Sequence, residues 1–190
     1  MRRLDLVIGP NGSGKSTFVE YTLGPLLPGS VFVNADSIAR QRWPAEAEAR
    51  SYDAARIAAD TRDRLIAEGR SFIAETVFSH ESKLDLIDRA HDAGYFVVLH
   101  VLIVPESIAV LRVRHRQVSG GHSVPENKIR ARFHRLWPLA VEAVHRADES
   151  TVYNSALGPA PTIVAEFTAG VLVGATRWPE WAPPELRRDG

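Results

Sequence analysis

The stretch Gly9-Pro10-Asn11-Gly12-Ser13-Gly14-Lys15-Ser16 decides how this chain is read. It follows a short apolar run, Leu4 to Ile8, and leads into Thr17, Phe18 and Val19, which read as the start of a helix. The spacing G-x-x-x-x-G-K-[ST] between a strand and a helix is that of a phosphate loop. Gly9, Gly12 and Gly14 let the backbone curl so that successive N–H groups point inward and form an anion nest at a helix N-terminus. The whole run from Gly9 through Pro10, Asn11, Gly12, Ser13, Gly14, Lys15 and Ser16 to Thr17 is therefore expected to cradle the phosphates of ATP. Lys15 would meet the β- and γ-phosphates, and the Ser16 hydroxyl would ligate Mg²⁺.

Working outward, strand-like apolar runs alternate with helical patterns, the signature of an α/β domain with a parallel sheet. Further strands are expected at Val31–Val33, Phe72–Ala74, Phe96–Val104 and Thr151–Asn154. A helix is expected over about 45–68, with Tyr52, Ala55, Ala59 and Ile66 on its inward stripe. Pro138 should kink or split the helix that Pro125 opens. Ile163–Phe167 and Val171–Val173 read as a hairpin appended at the sheet edge. The Trp178–Pro184 stretch is too proline-rich for helix or strand. The expected fold is a three-layer P-loop NTPase with a mostly parallel five-stranded sheet, a helical lid and a C-terminal β-hairpin. At 190 residues it reads as a single domain, with a core over about 4–155, a lid over about 112–135 and a hairpin and tail over about 160–190.

Basic and acidic residues number 23 each, so there is no global field favouring nucleic acid or an anionic membrane. No apolar run approaches the ~20 residues of a membrane span, and the first strand begins too early to leave room for a signal peptide. A cytoplasmic location is the expectation. Cysteine is absent, which excludes disulfides and thiolate metal sites. Charge is uneven locally: residues 112–135 hold Arg112, Arg114, Arg116, Lys128, Arg130, Arg132 and Arg135 against the single acid Glu126.

In open parallel sheets ligands bind at the carboxyl ends of the strands, so polar residues at those ends are informative. Asp36, after the second strand, would take the proton of an acceptor hydroxyl, or else cap a helix starting at Ser37. Glu75 and Thr76, after the third, would contact the substrate, with Glu75 also holding a Mg²⁺-bound water; otherwise they merely end a strand. The arginines flanking Gly120-Gly121 look like a lid, or like solvated helix faces. In the lid reading Arg112 would stack on adenine, Arg116 and Arg132 would reach the transferred phosphoryl group, and Arg135, behind Arg132, would contact the substrate. His122 is a lid contact to substrate or a polar loop residue.

With these residues in place the chain resembles the zeta-toxin-like family of phosphate-loop kinases. The resemblance rests on residues 9–17, Phe32-Val33-Asn34-Ala35-Asp36, Glu75-Thr76, and the ordered set Arg112-x₃-Arg116-x₃-Gly120-Gly121-His122-x-Val124-Pro125 with Ile129, Arg132 and Arg135 behind it. It implies an ATP-dependent kinase with Asp36 as base, Lys15 and Ser16 at phosphate and metal, and lid arginines on the transferred group. It further implies a small-molecule hydroxyl acceptor of the UDP-linked N-acetyl amino sugar kind and an antitoxin protein as partner. Val77 departs from the pattern, standing where a polar substrate contact is expected. An ABC-type ATPase shares the wording of the phosphate loop, but no apolar run ending in Asp-Glu follows residue 122. A nucleic-acid 5′-kinase would use the same base and arginines, against which the neutral overall charge argues. A non-enzymatic nucleotide-binding module would leave Asp36 and the lid without a task.

Overall fold

The computed structural model describes residues 1–118, 125–158 and 160–188. Its strands are β1 (Arg2–Ile8), β2 (Val31–Asn34), β3 (Phe72–Thr76), β4 (Tyr95–Ile103), β5 (Glu149–Asn154), β6 (Thr162–Thr168) and β7 (Val171–Val173). They form one sheet in the order β2-β3-β1-β4-β5-β6-β7. The five strands β1 to β5 run parallel, β6 pairs antiparallel to β5, and β7 pairs antiparallel to β6. Seven strands replace the expected five because the hairpin is hydrogen-bonded onto β5 and extends the sheet. Chain order proceeds from β1 toward β2 and β3 on one side and toward β4 and β5 on the other. The loop leaving β1 thus stands at the topological switch point, where an open sheet offers a crevice.

The helices are α1 (Lys15–Phe18), α2 (Gly24–Leu26), α3 (Ala35–Arg42), α4 (Ser51–Ala67), α5 (Leu84–Asp92), α6 (Glu106–Val118), α7 (Glu126–Arg146) and α8 (Pro184–Arg188), with a π-helical turn at Val19–Leu23 and a 3₁₀ turn at Glu81–Lys83. Three of them correct the sequence reading. First, α4 begins at Ser51, after turns, and its buried face is Ala54, Ala58, Arg62 and Leu65, while Tyr52 is exposed. Second, α7 stays continuous through Pro138, which lies on the exposed side where a missing N–H leaves its carbonyl partner to water. Third, the tail forms α8, opened by Pro184 at a position that tolerates proline, with Ala182 and Leu186 buried in the main core.

Alternation along β1 divides the interior in two. Leu4, Leu6 and Ile8 belong to the large core shared with Leu136, Trp137 and Ala140 of α7. Val7 belongs to a smaller cluster with Phe18, Val19, Leu23 and Leu102. Between Leu4 and Leu6 sits Asp5, which is 2% exposed. Its carboxylate accepts two bonds from the Arg3 guanidinium, both 2.7 Å, and one from His100 Nε2 at 3.0 Å. Burial pushes the Asp5 carboxyl upward, but the hydrogen bonds from His100 and Arg3 outweigh it and hold the group below its ordinary value.

The phosphate loop is braced from behind by α6. A Cβ at Gly12 would stand 2.5 Å from the Ala109 carbonyl oxygen, and φ there is +80°. Glycine is required on both counts, since the second obstacle is backbone and cannot swing aside. Gly14, at φ +83°, is the N-cap of α1 and supplies no side-chain cap, which leaves the leading amides of the helix free for an anion.

Two expectations follow from this packing. Asp5→Asn should lower stability at neutral pH by about 1–3 kcal/mol in urea titrations, because a charge-assisted buried cluster is broken. The group's pKa is lowered on folding, so its contribution is complete above the ordinary carboxylate value of 3.8 and lost as pH falls through the lowered one. The gap between variant and wild type should therefore close in acid. Gly12→Ala should weaken ATP binding in calorimetry by more than about tenfold, since α6 and the loop cannot both keep their places.

Candidate active site

A crevice of about 960 Å³ opens over the carboxyl ends of β1, β2 and β3 and is walled by the phosphate loop, α3, α4, the segment after β3, and the lid-side helices α6 and α7. Lys15 is buried at its floor, where its ammonium donates to the carbonyls of Gly9 and Pro10, each at 3.0 Å. Gly9 and Pro10 thus act through Lys15, whereas Asn11 to Thr17 line the crevice themselves. Burial pulls the Lys15 pKa down; Glu75 and Asp36 act against this, and Arg116 adds to it. A cation in that position calls for anionic company.

Ser16 Oγ donates to Glu75 Oε2 at 2.9 Å, so the loop hydroxyl and the β3 carboxylate form one oxygen pair at the strand ends. Among the described residues no group of three or more His, Cys, Asp or Glu could cage a metal. A hydroxyl beside a carboxylate nevertheless fits Mg²⁺, which keeps several waters and takes only one or two protein oxygens when phosphates supply the rest.

Asp36 lies in the first turn of α3 and lines the crevice. The cap of that helix is Asn34, whose side chain accepts from the Ser37 amide at 2.8 Å. The helix starts at Ala35, not at Ser37, and capping is done by Asn34; Asp36 is exposed and makes no hydrogen bond among the described residues. Thr76 lines the crevice as well, and its Oγ1 accepts weakly from the Phe78 amide at 3.4 Å. Phe78 is buried at φ +62°, a conformation that bulky residues seldom adopt. This bend turns Val77, Ser79 and His80 toward the crevice.

The arginines of the basic segment sort into four groups. Arg112 is committed to backbone: it donates to the carbonyls of Ser155 at 2.9 Å and Ala156 at 3.1 Å, and approaches that of Gly12 at 3.4 Å. It braces the loop after β5 against the phosphate loop, a role not foreseen for it, with its guanidinium still on the crevice wall. Arg114 and Arg130 clamp α6 to α7, Arg114 through Glu126 and Arg130 through Glu106 (2.9 Å), and Arg130 also pairs within α7 with Glu126 (2.8 Å). Arg116 and Arg132 line the crevice, one from each helix. Arg135 is exposed and does not line it, so the helix turns that side chain away from the substrate position expected for it. His122 and the Gly120-Gly121 pair lie outside the described residues.

Two cations that the sequence reading passed over also face the crevice: Arg62 on α4 and Lys83 on the 3₁₀ turn. Arg62 falls on the buried stripe with Ala54, Ala58 and Leu65, and a basic residue on that stripe is the signal that would have found it. No helix is long and apolar enough to cross a membrane among the described residues.

No curated protein matches the sequence. Solved structures match the fold at low identity. The AvrRxo1-ORF1:ORF2 assembly with ATP aligns at TM-score 0.72 and 16% identity over 91% of this chain, which spans 60% of that one. The PezAT chromosomal toxin-antitoxin system of Streptococcus pneumoniae aligns at 0.65 and 13%, covering 99% of this chain and 84% of that one. A gluconokinase from Sinorhizobium meliloti aligns at 0.52 and 18%, covering 83% and 85%. The likeness is one of P-loop kinase-like architecture. Residues 4–138, from the first strand through the phosphate loop to the middle of α7, match the model of a family described as an AAA domain, and the chain belongs to that family.

Proposed function

We propose that this chain is an ATP-dependent kinase that transfers the γ-phosphoryl group to an alcohol of a small molecule. The observation that carries the reading is the free carboxylate of Asp36 in the same crevice as Lys15 and the Ser16–Glu75 pair. With Asn34 holding the helix, Asp36 has no structural duty to compete with proton transfer. An ATPase without an acceptor would have no use for a base just after β2.

In this reading Asp36 accepts the proton of the acceptor hydroxyl as its oxygen bonds to the γ-phosphorus. The bond from that phosphorus to the β,γ-bridging oxygen breaks, and ADP departs with the electron pair. Lys15, Arg116 and Arg132 offset the charge on the transferred group, as cations fixed where charge develops do. Ser16 and Glu75 would hold Mg²⁺, which when bound neutralises the phosphate oxygens. Arg112 keeps the wall of the nucleotide side in place through its carbonyl contacts.

The resemblance to zeta-toxin-like kinases supports a nucleotide-linked amino sugar as acceptor, and supports an antitoxin-like protein as partner. The PezAT system and the two-protein AvrRxo1 assembly, both similar in fold, agree with a partner of that kind. Labelled ATP offered with nucleotide-sugars, sugar acids, nucleosides and 5′-hydroxyl oligonucleotides reads the acceptor directly. Label appearing only on oligonucleotides would replace this reading by nucleic-acid 5′-phosphorylation, and label appearing only as free phosphate would reject transfer.

Asp36→Asn should lower kcat by on the order of 10²–10⁴ while ATP affinity is kept. Lys15→Ala should abolish transfer in a domain that still melts cooperatively. Arg116→Ala and Arg132→Ala should each slow single turnovers more than they weaken ATP binding, by up to about 10³. Single-turnover rates equal to wild type in both would remove the arginines from the chemistry.

A further inference from the structure

Arg62 is 8% exposed, faces the crevice, and makes no hydrogen bond or ion pair among the described residues. Its neighbour Asp63 is engaged with Arg89 at 3.1 Å. A guanidinium with five donors and no acceptor is costly to bury. Lys83, half-buried and likewise without an ion pair among the described residues, lines the same crevice. Burial, and then the charge of Arg62, draws the Lys83 pKa down. Two like charges thus line one crevice, and neither has a carboxylate in hydrogen-bond contact among the described residues.

Their place in the fold separates them from the phosphate-transfer cations. Arg116 and Arg132 come from α6 and α7, on the β4 side of the sheet. Arg62 and Lys83 come from α4 and the turn after β3, the half of the sheet that also carries Asp36 and Thr76. We infer that Arg62 and Lys83 form an anion subsite on the acceptor side of the crevice, so that the acceptor is an alcohol bearing a phosphate or carboxylate group. This rests on the kinase reading above. The anion would be held by the fork of Arg62 and the point charge of Lys83, leaving a hydroxyl of the same molecule to face Asp36. His80 adds a third donor at the rim: its Nδ1 accepts from the Ser82 amide at 3.2 Å, which leaves Nε2–H for a ligand.

The experiment uses the full chain saturated with a non-hydrolysable ATP analogue and Mg²⁺, titrated by calorimetry with inorganic phosphate, pyrophosphate and malonate. Saturable binding of at least one of these anions is expected, weakened about tenfold or more in Lys83→Ala and in Arg62→Gln, with affinity for the ATP analogue unchanged. Lys83 is half-exposed, so its variant keeps the test valid if Arg62→Gln does not fold. The phosphate and malonate arms tell a phosphate ester from a carboxylate. Anion binding equal to wild type in Lys83→Ala, or loss of ATP-analogue affinity in that variant, overturns the subsite. Transfer of label to neutral alcohols as efficiently as to their phosphate or carboxylate derivatives also overturns it, and leaves the kinase reading standing. Lys83-dependent anion binding in a protein that binds no ATP analogue would do the reverse.

Discussion

A buried ammonium is the constraint on which the site depends. Lys15 sits on the floor of the crevice with two carbonyls of its own loop as its only hydrogen-bond acceptors among the described residues. Carbonyl dipoles orient the charge without neutralising it, and burial works against it. The surroundings respond in kind: Glu75 and Asp36 supply negative potential from two strand ends, and the uncapped start of α1 offers amides to an incoming anion. A ligand rich in phosphate completes an electrostatic arrangement that the protein leaves unfinished.

The same loop must be held rigid for this to work, and most of the surrounding structure serves that end. Ala109 on α6 packs so closely behind Gly12 that no side chain fits between them. Arg112, one turn further along α6, gathers the carbonyls of the β5 exit beside the loop. Arg114, Arg130, Glu106 and Glu126 then tie α6 to α7, so that the helix bracing the loop and the helix carrying Arg132 move together. Cations of similar appearance in the sequence therefore do different work. Some fasten helices, one braces a loop, and Arg116 and Arg132 are left facing the crevice.

Beneath the loop, Asp5, Arg3 and His100 place a polar cluster inside an otherwise apolar sheet. Such a cluster adds little net stability when intact, yet breaking it strands a buried charge. It lies on the strand that delivers the phosphate loop, and Phe18 of α1 packs against the His100 ring at 5.6 Å. Register of the central strand and seating of the first helix are thereby coupled.

The phosphate loop, the alternation of strands and helices, and the polar residues at the strand ends could all be read from the chain. Each is a local pattern whose meaning depends on neighbours within a few residues: glycine spacing, apolar runs, helix breakers. That is why the parallel strands, the hairpin and the crevice residues Lys15, Ser16, Asp36, Glu75, Arg116 and Arg132 were legible. Partnerships between distant segments were not. Only the fold revealed that Asn34 takes the cap and frees Asp36, that Arg112 spends its donors on carbonyls more than forty residues away, and that Arg135 points outward. The inward stripe of α4 was misplaced by one position, which hid Arg62, because a run rich in alanine has nearly the same hydrophobic period on two adjacent faces. Sequence by itself determined which groups stand at the ends of strands; tertiary structure decided which of them still have a free charge once the helices have packed, because burial and pairing are properties of the surroundings and not of the residue.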